Sequence, residues 1–394
     1  MTFPVQQVQL PQVDHIPPPL MMDAPDSFAH YTFATRWPAV VERVIQENAS
    51  RDAFGPLAVA KLQQLSHELQ QGRVRSLEDS YAPDWSQWEQ DLAPYKGLFW
   101  TDVPWLVAEF YLYRRILEAV GYFHPDTGGA DPFFSQKQSA LNSAVSQAKQ
   151  PVLSLQRSLY GALWGNRADL SLDPGALWQP DSRPQSSTDH ILVDQSLDVV
   201  SHLGQGTAAR YVDIVADNAG AELIADLALA ASILQEHPPI RVRLHLKAYP
   251  TFVSDATRHD VHQTLTAIAD TPLAKACHVH LQKGELQLYD GPIWNRPLAF
   301  WQLQKDLEVL FQDSQLVVLK GDANYRRLLG DCHWPIAAGF DPIVAYFPVP
   351  VVALRTLKSE VAVGLTSSQL TAVARIAPNW MTAGEWGLIQ ARLD

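Results

Sequence analysis

Val317-Val318-Leu319-Lys320-Gly321-Asp322-Ala323-Asn324-Tyr325-Arg326-Arg327-Leu328-Leu329-Gly330-Asp331 is the stretch from which the fold is read. Together with Leu316 it opens as a short apolar run of the kind a buried parallel strand shows. Lys320-Gly321-Asp322 breaks the run. From about Asp322, Tyr325, Leu328 and Leu329 fall at i, i+3 and i+4, the period of a helix with that face turned inward. Asp322 and Arg326, one turn apart, share a different face. A strand, a glycine turn and a helix start place charged groups at the carboxyl end of a sheet, where open α/β folds bind ligands. The first turn of such a helix offers unpaired N–H groups and a partial positive charge, both suited to phosphate. On spacing alone, an ordinary surface turn explains the stretch equally well.

Outward from this point the second half of the chain alternates between strand and helix. Residues 211–216, 241–247 and 344–354 read as strands, the last interrupted by Pro348 and Pro350, and 279–288 reads as a hairpin around Lys283-Gly284. Residues 222–235, 258–269 and 298–311 read as helices. The first half is mostly helical in period, over 37–45, 57–69, 104–117 and 137–163, with Pro151 expected to kink or split the last. Residues 1 to about 28 read as an extended arm laid on the surface. The fold class is therefore α/β: a doubly wound, Rossmann-like, mostly parallel sheet over 190–394, preceded by an N-terminal arm and helical region over 1–165. Residues 166–189, with Pro174, Pro180 and Pro184, read as the linker. Glu109, inside the apolar helix of 104–117, is either a buried acid paired with Arg114 or Arg115 or a functional group.

With 394 residues, 47% hydrophobic and 18% charged, the chain has the composition of a soluble globular protein. A formal charge of −12 argues against a nucleic-acid partner, which calls for a basic surface. No apolar stretch approaches the length of a membrane span, and the N-terminus lacks a basic region followed by an apolar run. Cys277 and Cys332 are the two cysteines, too few for a disulfide framework, and a cytoplasmic location is expected.

Three strand ends carry acids. Asp217-Asn218-Ala219-Gly220-Ala221-Glu222 follows 211–216 and puts two oxygen ligands, with Glu222 one turn on, where a hard cation can sit. Helix capping explains Asp217 or Asn218 taken alone. Asp255 follows the next strand and Asp322 follows 316–319. Three carboxylates around one crevice repel each other and any anion, and a divalent metal resolves that conflict. Lys358 and Lys320 are the cations near enough in the pattern to meet a phosphoryl group. Gly204-Gln205-Gly206 precedes a strand and so is not a dinucleotide fingerprint. The histidines at 259, 262, 278 and 280 match no standard structural zinc spacing.

Asp217-Asn218-Ala219-Gly220-Ala221-Glu222, Phe252-Val253-Ser254-Asp255, Lys320 to Arg326 and Arg355-Thr356-Leu357-Lys358 resemble the motifs of the metal-dependent damage-control phosphatases. The likeness is to the subfamily with an Arg-Thr-x-Lys motif, which includes proteins described as acidic-residue methyltransferases, and it covers most of the chain. The resemblance implies that Asp217, Asn218 and Asp255 hold the metal. It implies that Asp217, Asn218, Glu222, the run Asp322, Ala323, Asn324, Tyr325 and Arg326, and Lys358 meet substrate. Asp217, Asp255, Asp322 and Lys358 are the implied catalytic set. Ala323 departs from the larger apolar residue common in the family. The activity implied is hydrolysis of sugar phosphate monoesters such as fructose 1-phosphate or fructose 6-phosphate with manganese, cobalt or nickel, magnesium suiting the ligands as well. Either an aspartate or a water is the attacking group. The alternatives are protein carboxyl methyl transfer from S-adenosylmethionine, for which no glycine loop is present, and sugar-phosphate binding without turnover.

Overall fold

The strands are β1 (Ile191–Asp194), β2 (Tyr211–Val215), β3 (Arg241–His245), β4 (Leu286–Tyr289), β5 (Ser314–Lys320), β6 (Val351–Thr356) and β7 (Gly387–Arg392). They belong to a computed structural model that describes residues 10, 12–49, 54–127, 129–149, 153–165, 189–205 and 210–394. In space they form one sheet of order β1-β7-β6-β5-β2-β3-β4. From β6 to β4 all neighbours are parallel; β7 runs antiparallel to β6, and β1 pairs parallel with β7. The chain winds from β2 through β3 to β4, then returns to lay β5 on the other side of β2. That reversal opens a crevice beyond the carboxyl ends of β2 and β5, the switch point of a doubly wound sheet.

Every residue of β5 is buried, as a strand covered on both faces must be. Alternation sorts its side chains between two cores. Leu316 and Val318, with Val212, Ile214, Val242 and Leu244, face the helices Leu155–Trp164, Ala221–Glu236 and Pro272–Gln282. Val317 and Leu319, with Val215, Val351 and Ala353, face Trp37–Ala49, Pro56–Gln71, Trp105–Val120 and Gln304–Phe311. The N-terminal helical region thus supplies much of the cover for one face of the sheet. Most of the expected linker, 166–188, lies outside the described residues.

Trp105–Val120 is buried along its whole length and stops at Gly121, whose left-handed φ of 70° suits a glycine C-cap. Its charges are internally matched. Arg114 Nε lies 2.8 Å from Asp84 and its Nη1 2.9 Å from Asp79, while Arg115 meets Glu68 and Glu118. Glu109 pairs with neither arginine, contrary to one sequence expectation. Its partner is Arg326, 2.6 Å away and distant in sequence.

Three local expectations are corrected. Residues 279–288 are not a hairpin: the helix Pro272–Gln282 is capped by the Thr271 hydroxyl and started by its proline, and Gly284 ends it with φ 68°. β4 then pairs parallel with β3. The strand expected over 344–354 begins only at Val351, because Pro348 and Pro350 carry no N–H for a ladder. The arm is tucked in as well as laid on: Leu20 and Met22 are buried, Leu20 N–H donates to the Asp331 carbonyl (2.8 Å) and Leu20 C=O accepts from Trp105 N–H (2.9 Å). Sequence reading missed β1, β7 and the helices Ser196–Gly204 and Ser367–Ile376. Among the described residues, no helix is long and apolar enough to cross a membrane.

Arg114→Met removes the partner of two buried acids, so the folded state is expected to lose roughly 3–5 kcal/mol. A lower midpoint in urea denaturation checks this, and a midpoint matching the unaltered protein rejects it.

Candidate active site

Asp217 stands just beyond β2, and its carboxylate fills the space above Gly321 at the end of β5. Gly321 has φ +79°, and a Cβ built on it would lie 1.9 Å from Asp217 Oδ2. A side chain there is excluded twice, by backbone conformation and by volume. Asn218 Nδ2 donates to Asp217 Oδ2 (2.8 Å) and to Glu222 Oε2 (2.9 Å), and its Oδ1 accepts a short bond from the Ser254 hydroxyl. Glu222, in the first turn of Ala221–Glu236, and Asp226 one turn later hold the Lys320 ammonium at 3.0 and 2.6 Å. Lys320 is therefore fully engaged inside the fold, where sequence reasoning offered it to a phosphate.

The loop after β3 is zipped to the loop after β2. Ala219 N–H donates to the Ser254 carbonyl (2.7 Å) and Ala256 N–H to the Asp217 carbonyl (2.8 Å). Between them Phe252 and Val253 sit at φ 51° and 66°, left-handed values that cost bulky residues of order 1–3 kcal/mol each. The Phe252 ring is wedged against Phe110 and Tyr113, with centroids 4.6 and 5.1 Å apart, and this packing holds the strained turn. Asp255 emerges from it fully buried. Its Oδ2 has no hydrogen-bond donor, although the Lys247 ammonium is 3.4 Å away. Lys247, which donates to the Trp294 carbonyl (2.6 Å), escaped sequence reasoning; it looks like an ordinary charged strand end until the loop folds over it.

Asp322 is half-buried and already bonded: Arg355 Nε lies 2.8 Å away, Ser359 Oγ 3.0 Å and Lys358 N 3.3 Å. It fastens the 355–359 segment to the helix Gly321–Leu328. Within that helix the Asn324 amide bonds the Ala216 and Lys320 carbonyls (3.3 and 2.8 Å), joining two strand ends. Tyr325 turns away to Gln390, and Arg326 is held by Asp331 and Glu109 and stacked 3.6 Å over Trp105. The side chains of Tyr325 and Arg326 thus leave the crevice, and Ala323 stays half-buried at its edge. Lys358 extends over Gly384, and among the described residues its ammonium has no hydrogen-bonded partner.

Burial, then Glu222 and Asp255, push the Asp217 carboxyl well above the ordinary range, with Lys358 and Lys320 opposing. Burial also raises Asp255, to about 6, against the pull of Lys247. Asp322 goes the other way, since Arg355 and Arg326 outweigh its burial and hold it low. Two crowded buried carboxylates beside an amide oxygen, one carboxylate oxygen lacking a donor, fit a hard divalent cation. Among the described residues no group of three or more His, Cys, Asp or Glu side chains is gathered to hold a metal.

Residues 32–373 match the profile of the damage-control phosphatase ARMT1-like domain. The chain belongs to that family. Damage-control phosphatase ARMT1 of Danio rerio is 31% identical to it over 92% of this chain and 94% of the relative. The proteins of the same name from Xenopus laevis and Mus musculus are 30% and 29% identical, covering 92% and 94% of this chain and 96% and 98% of theirs. A crystal structure of a DUF89 family protein from Pyrococcus horikoshii covers 91% of this chain and 97% of its own, at 13% identity and a TM-score of 0.48, too distant to add to the fold seen directly. Membership in the ARMT1-like family makes this chain a phosphatase, a hydrolase of the house-cleaning kind, and the family is metal-dependent.

Two outcomes follow for the site. Gly321→Ala is expected to lose at least about 1–2 kcal/mol from the backbone alone and to displace Asp217, abolishing metal binding. Gly284→Ala, also at positive φ but with nothing within 4 Å, serves as the backbone-only control and keeps metal affinity. If Asp217 and Asp255 hold a cation, its binding displaces their protons, so metal affinity should weaken as pH falls through about 6, where Asp255 takes up its proton, with Asp217, raised well above the ordinary range, adding to the loss. Calorimetric titrations on either side of that value check the sign.

Proposed function

We propose that the protein hydrolyses sugar phosphate monoesters, hexose phosphates such as fructose 1-phosphate or fructose 6-phosphate, with manganese, cobalt, nickel or magnesium, in the cytoplasm. The observation that carries this reading is the meeting of Asp217 and Asp255 with the start of the Gly321–Leu328 helix at the sheet's switch point. Asp217, Asn218 and Asp255 would hold the cation. When bound, the cation supplies Lewis-acid polarisation of the phosphoryl group and a template for the reactants.

The chain's own groups do the rest. N–H groups in the first turn of Gly321–Leu328 face the crevice and take phosphoryl oxygens, reinforced by the helix dipole. Lys358, whose ammonium has no partner among the described residues, neutralises charge that grows on those oxygens, the kind of electrostatic term that dominates phosphoryl transfer. Glu222, itself steadied by Lys320, orients Asn218. Asp322 acts at one remove, by seating Arg355, Ser359 and the Lys358 backbone. The run 322–326 contributes through its backbone, since Tyr325 and Arg326 point elsewhere.

A screen of phosphomonoesters against several divalent metals is expected to show turnover that chelation abolishes. Full activity after exhaustive chelation rejects metal dependence, and equal kcat/KM for hexose phosphates and nucleoside monophosphates rejects the sugar specificity. Lys358→Ala should lower turnover by about 10²- to 10³-fold at unchanged thermal stability, with partial rescue by Lys358→Arg. A variant with unaltered turnover would take Lys358 out of the site.

A further inference from the structure

We infer that Lys247 is the resident counter-ion of the metal site: its ammonium balances Asp255 in the metal-free protein, yields that carboxylate to the divalent cation, and so sets how tightly the cation is held. The inference rests on the reading above in which Asp217, Asn218 and Asp255 hold the cation. Lys247 acts through Asp255 and is a positioning residue.

Just beyond β3, Lys247 enters the zip that carries both acids: its N–H donates to the Ala256 carbonyl at 3.0 Å, while Ala256 N–H donates to the Asp217 carbonyl. The side chain is buried, with its ammonium 3.4 Å from Asp255 Oδ2 and 2.6 Å from the Trp294 carbonyl. The rings of Phe110 and Phe252 stand beside it, their centroids 5.3 and 5.8 Å away. Its place does not depend on Asp255. The Trp294 carbonyl that anchors it also accepts from Arg327 Nη1 at 3.2 Å, and Arg327 bonds the Ile293 and Leu298 carbonyls as well. Next to Trp294, the Asn295 side chain bonds Ala248 N–H (2.9 Å), the Tyr249 carbonyl (3.0 Å) and the Thr251 hydroxyl (2.8 Å). Asp255 is fixed from its own side, through its N–H to the Thr251 carbonyl and a backbone bridge to Asn218. Both partners are thus placed by other contacts, and what passes between them is charge.

Among the described residues, Asp255 forms an ion pair with no cation but Lys247, and Lys247 with no other acid. Buried ions left alone are costly, so each needs the other while no metal is present. Their contact is nevertheless loose. Charge-assisted N–H···O bonds between ions run at about 2.7–2.9 Å, whereas Asp255 Oδ2, at 3.4 Å, accepts no hydrogen bond. The ammonium directs its short bond to Trp294 and offers Asp255 its charge alone. A charge offered without a directed bond can be replaced by a stronger one, and a divalent cation is stronger. Once the cation is in place, Lys247 stays anchored at Trp294 and repels it. That repulsion limits the affinity and keeps the metal exchangeable.

The full chain, freed of metal by chelation, is titrated with manganese by calorimetry, and its thermal midpoint is recorded with and without manganese. Lys247→Met should hold manganese about 10-fold more tightly, the scale of one unit charge removed from a partly shielded site, and gain more thermal stability from it than the unaltered protein does. A residue that served the fold alone would, when lost, leave metal affinity equal or lower. The sign holds even where Asp255 is protonated, since a divalent ion gains twice what a proton gains when a neighbouring positive charge is removed. Lys247→Gln keeps a donor for the Trp294 carbonyl and should match Lys247→Met, because charge and not hydrogen bonding is at issue. Lys275→Met removes an equal charge from an exposed position of Pro272–Gln282 and should leave the affinity as it was. Manganese affinity that is unchanged or weaker in either Lys247 variant overturns the inference, as does an equal gain in Lys275→Met. Lys247 variants that fold neither with nor without manganese overturn it too, because the metal then fails to replace what Lys247 supplied. An unaltered protein that binds manganese but turns over no ester rejects the phosphatase reading alone, and the titrations still decide for Lys247. Where the unaltered protein binds no manganese, binding by Lys247→Met supports the inference, and no binding by either overturns it together with the metal site.

Discussion

The contact between the Asp217 carboxylate and the bare Cα of Gly321 is the constraint on which the site depends. It joins the ends of β2 and β5 at the one place where the winding of the sheet reverses. A hydrogen atom at Gly321 lets an acid from one strand stand over the helix start that follows another. Any side chain would push the acid aside. Asn324 repeats the joint from below by bonding carbonyls from both strand ends. The position of the carboxylate is thus fixed by packing between strands and not by a flexible loop.

Around that joint the fold keeps nearly all of its charge to itself. Buried ions are costly unless paired, and here each buried cation near the crevice has a carboxylate or a set of carbonyls to meet it. The exception is the pair of acids at the centre. Asp217 and Asp255 are pushed up by burial and by their acidic neighbours, and Asp255 keeps an oxygen with no donor. This local excess of negative charge in a desolvated site is a form of stored electrostatic work. A divalent cation held there would release it and at once make the same site receptive to an anion.

The helical region is part of the same construction. Phe110 and Tyr113 brace the left-handed turn at Phe252 and Val253, and Glu109 locks Arg326. Without that brace the turn before Asp255 would have no compensation for its strain. The N-terminal helices therefore serve the site in two ways, as cover for one face of the sheet and as the support that aims one of its acids.

The sequence by itself determined the α/β winding, the buried character of 316–319, and the strand ends at which Asp217, Asp255 and Asp322 stand, because hydrophobic period and glycine breaks are local signals. Tertiary structure alone decided which charges remain available. Lys320 and Lys358 look alike as lysines after strands, yet one lies between Glu222 and Asp226 and the other has no partner among the described residues. Arg326 shares a motif with Asn324 but belongs to Glu109, 217 residues away. The hairpin read at 279–288 and the missed β1 and β7 have the same origin. A short apolar run becomes helix or strand according to the caps and neighbours it meets, and a charge is free or bound according to residues far along the chain.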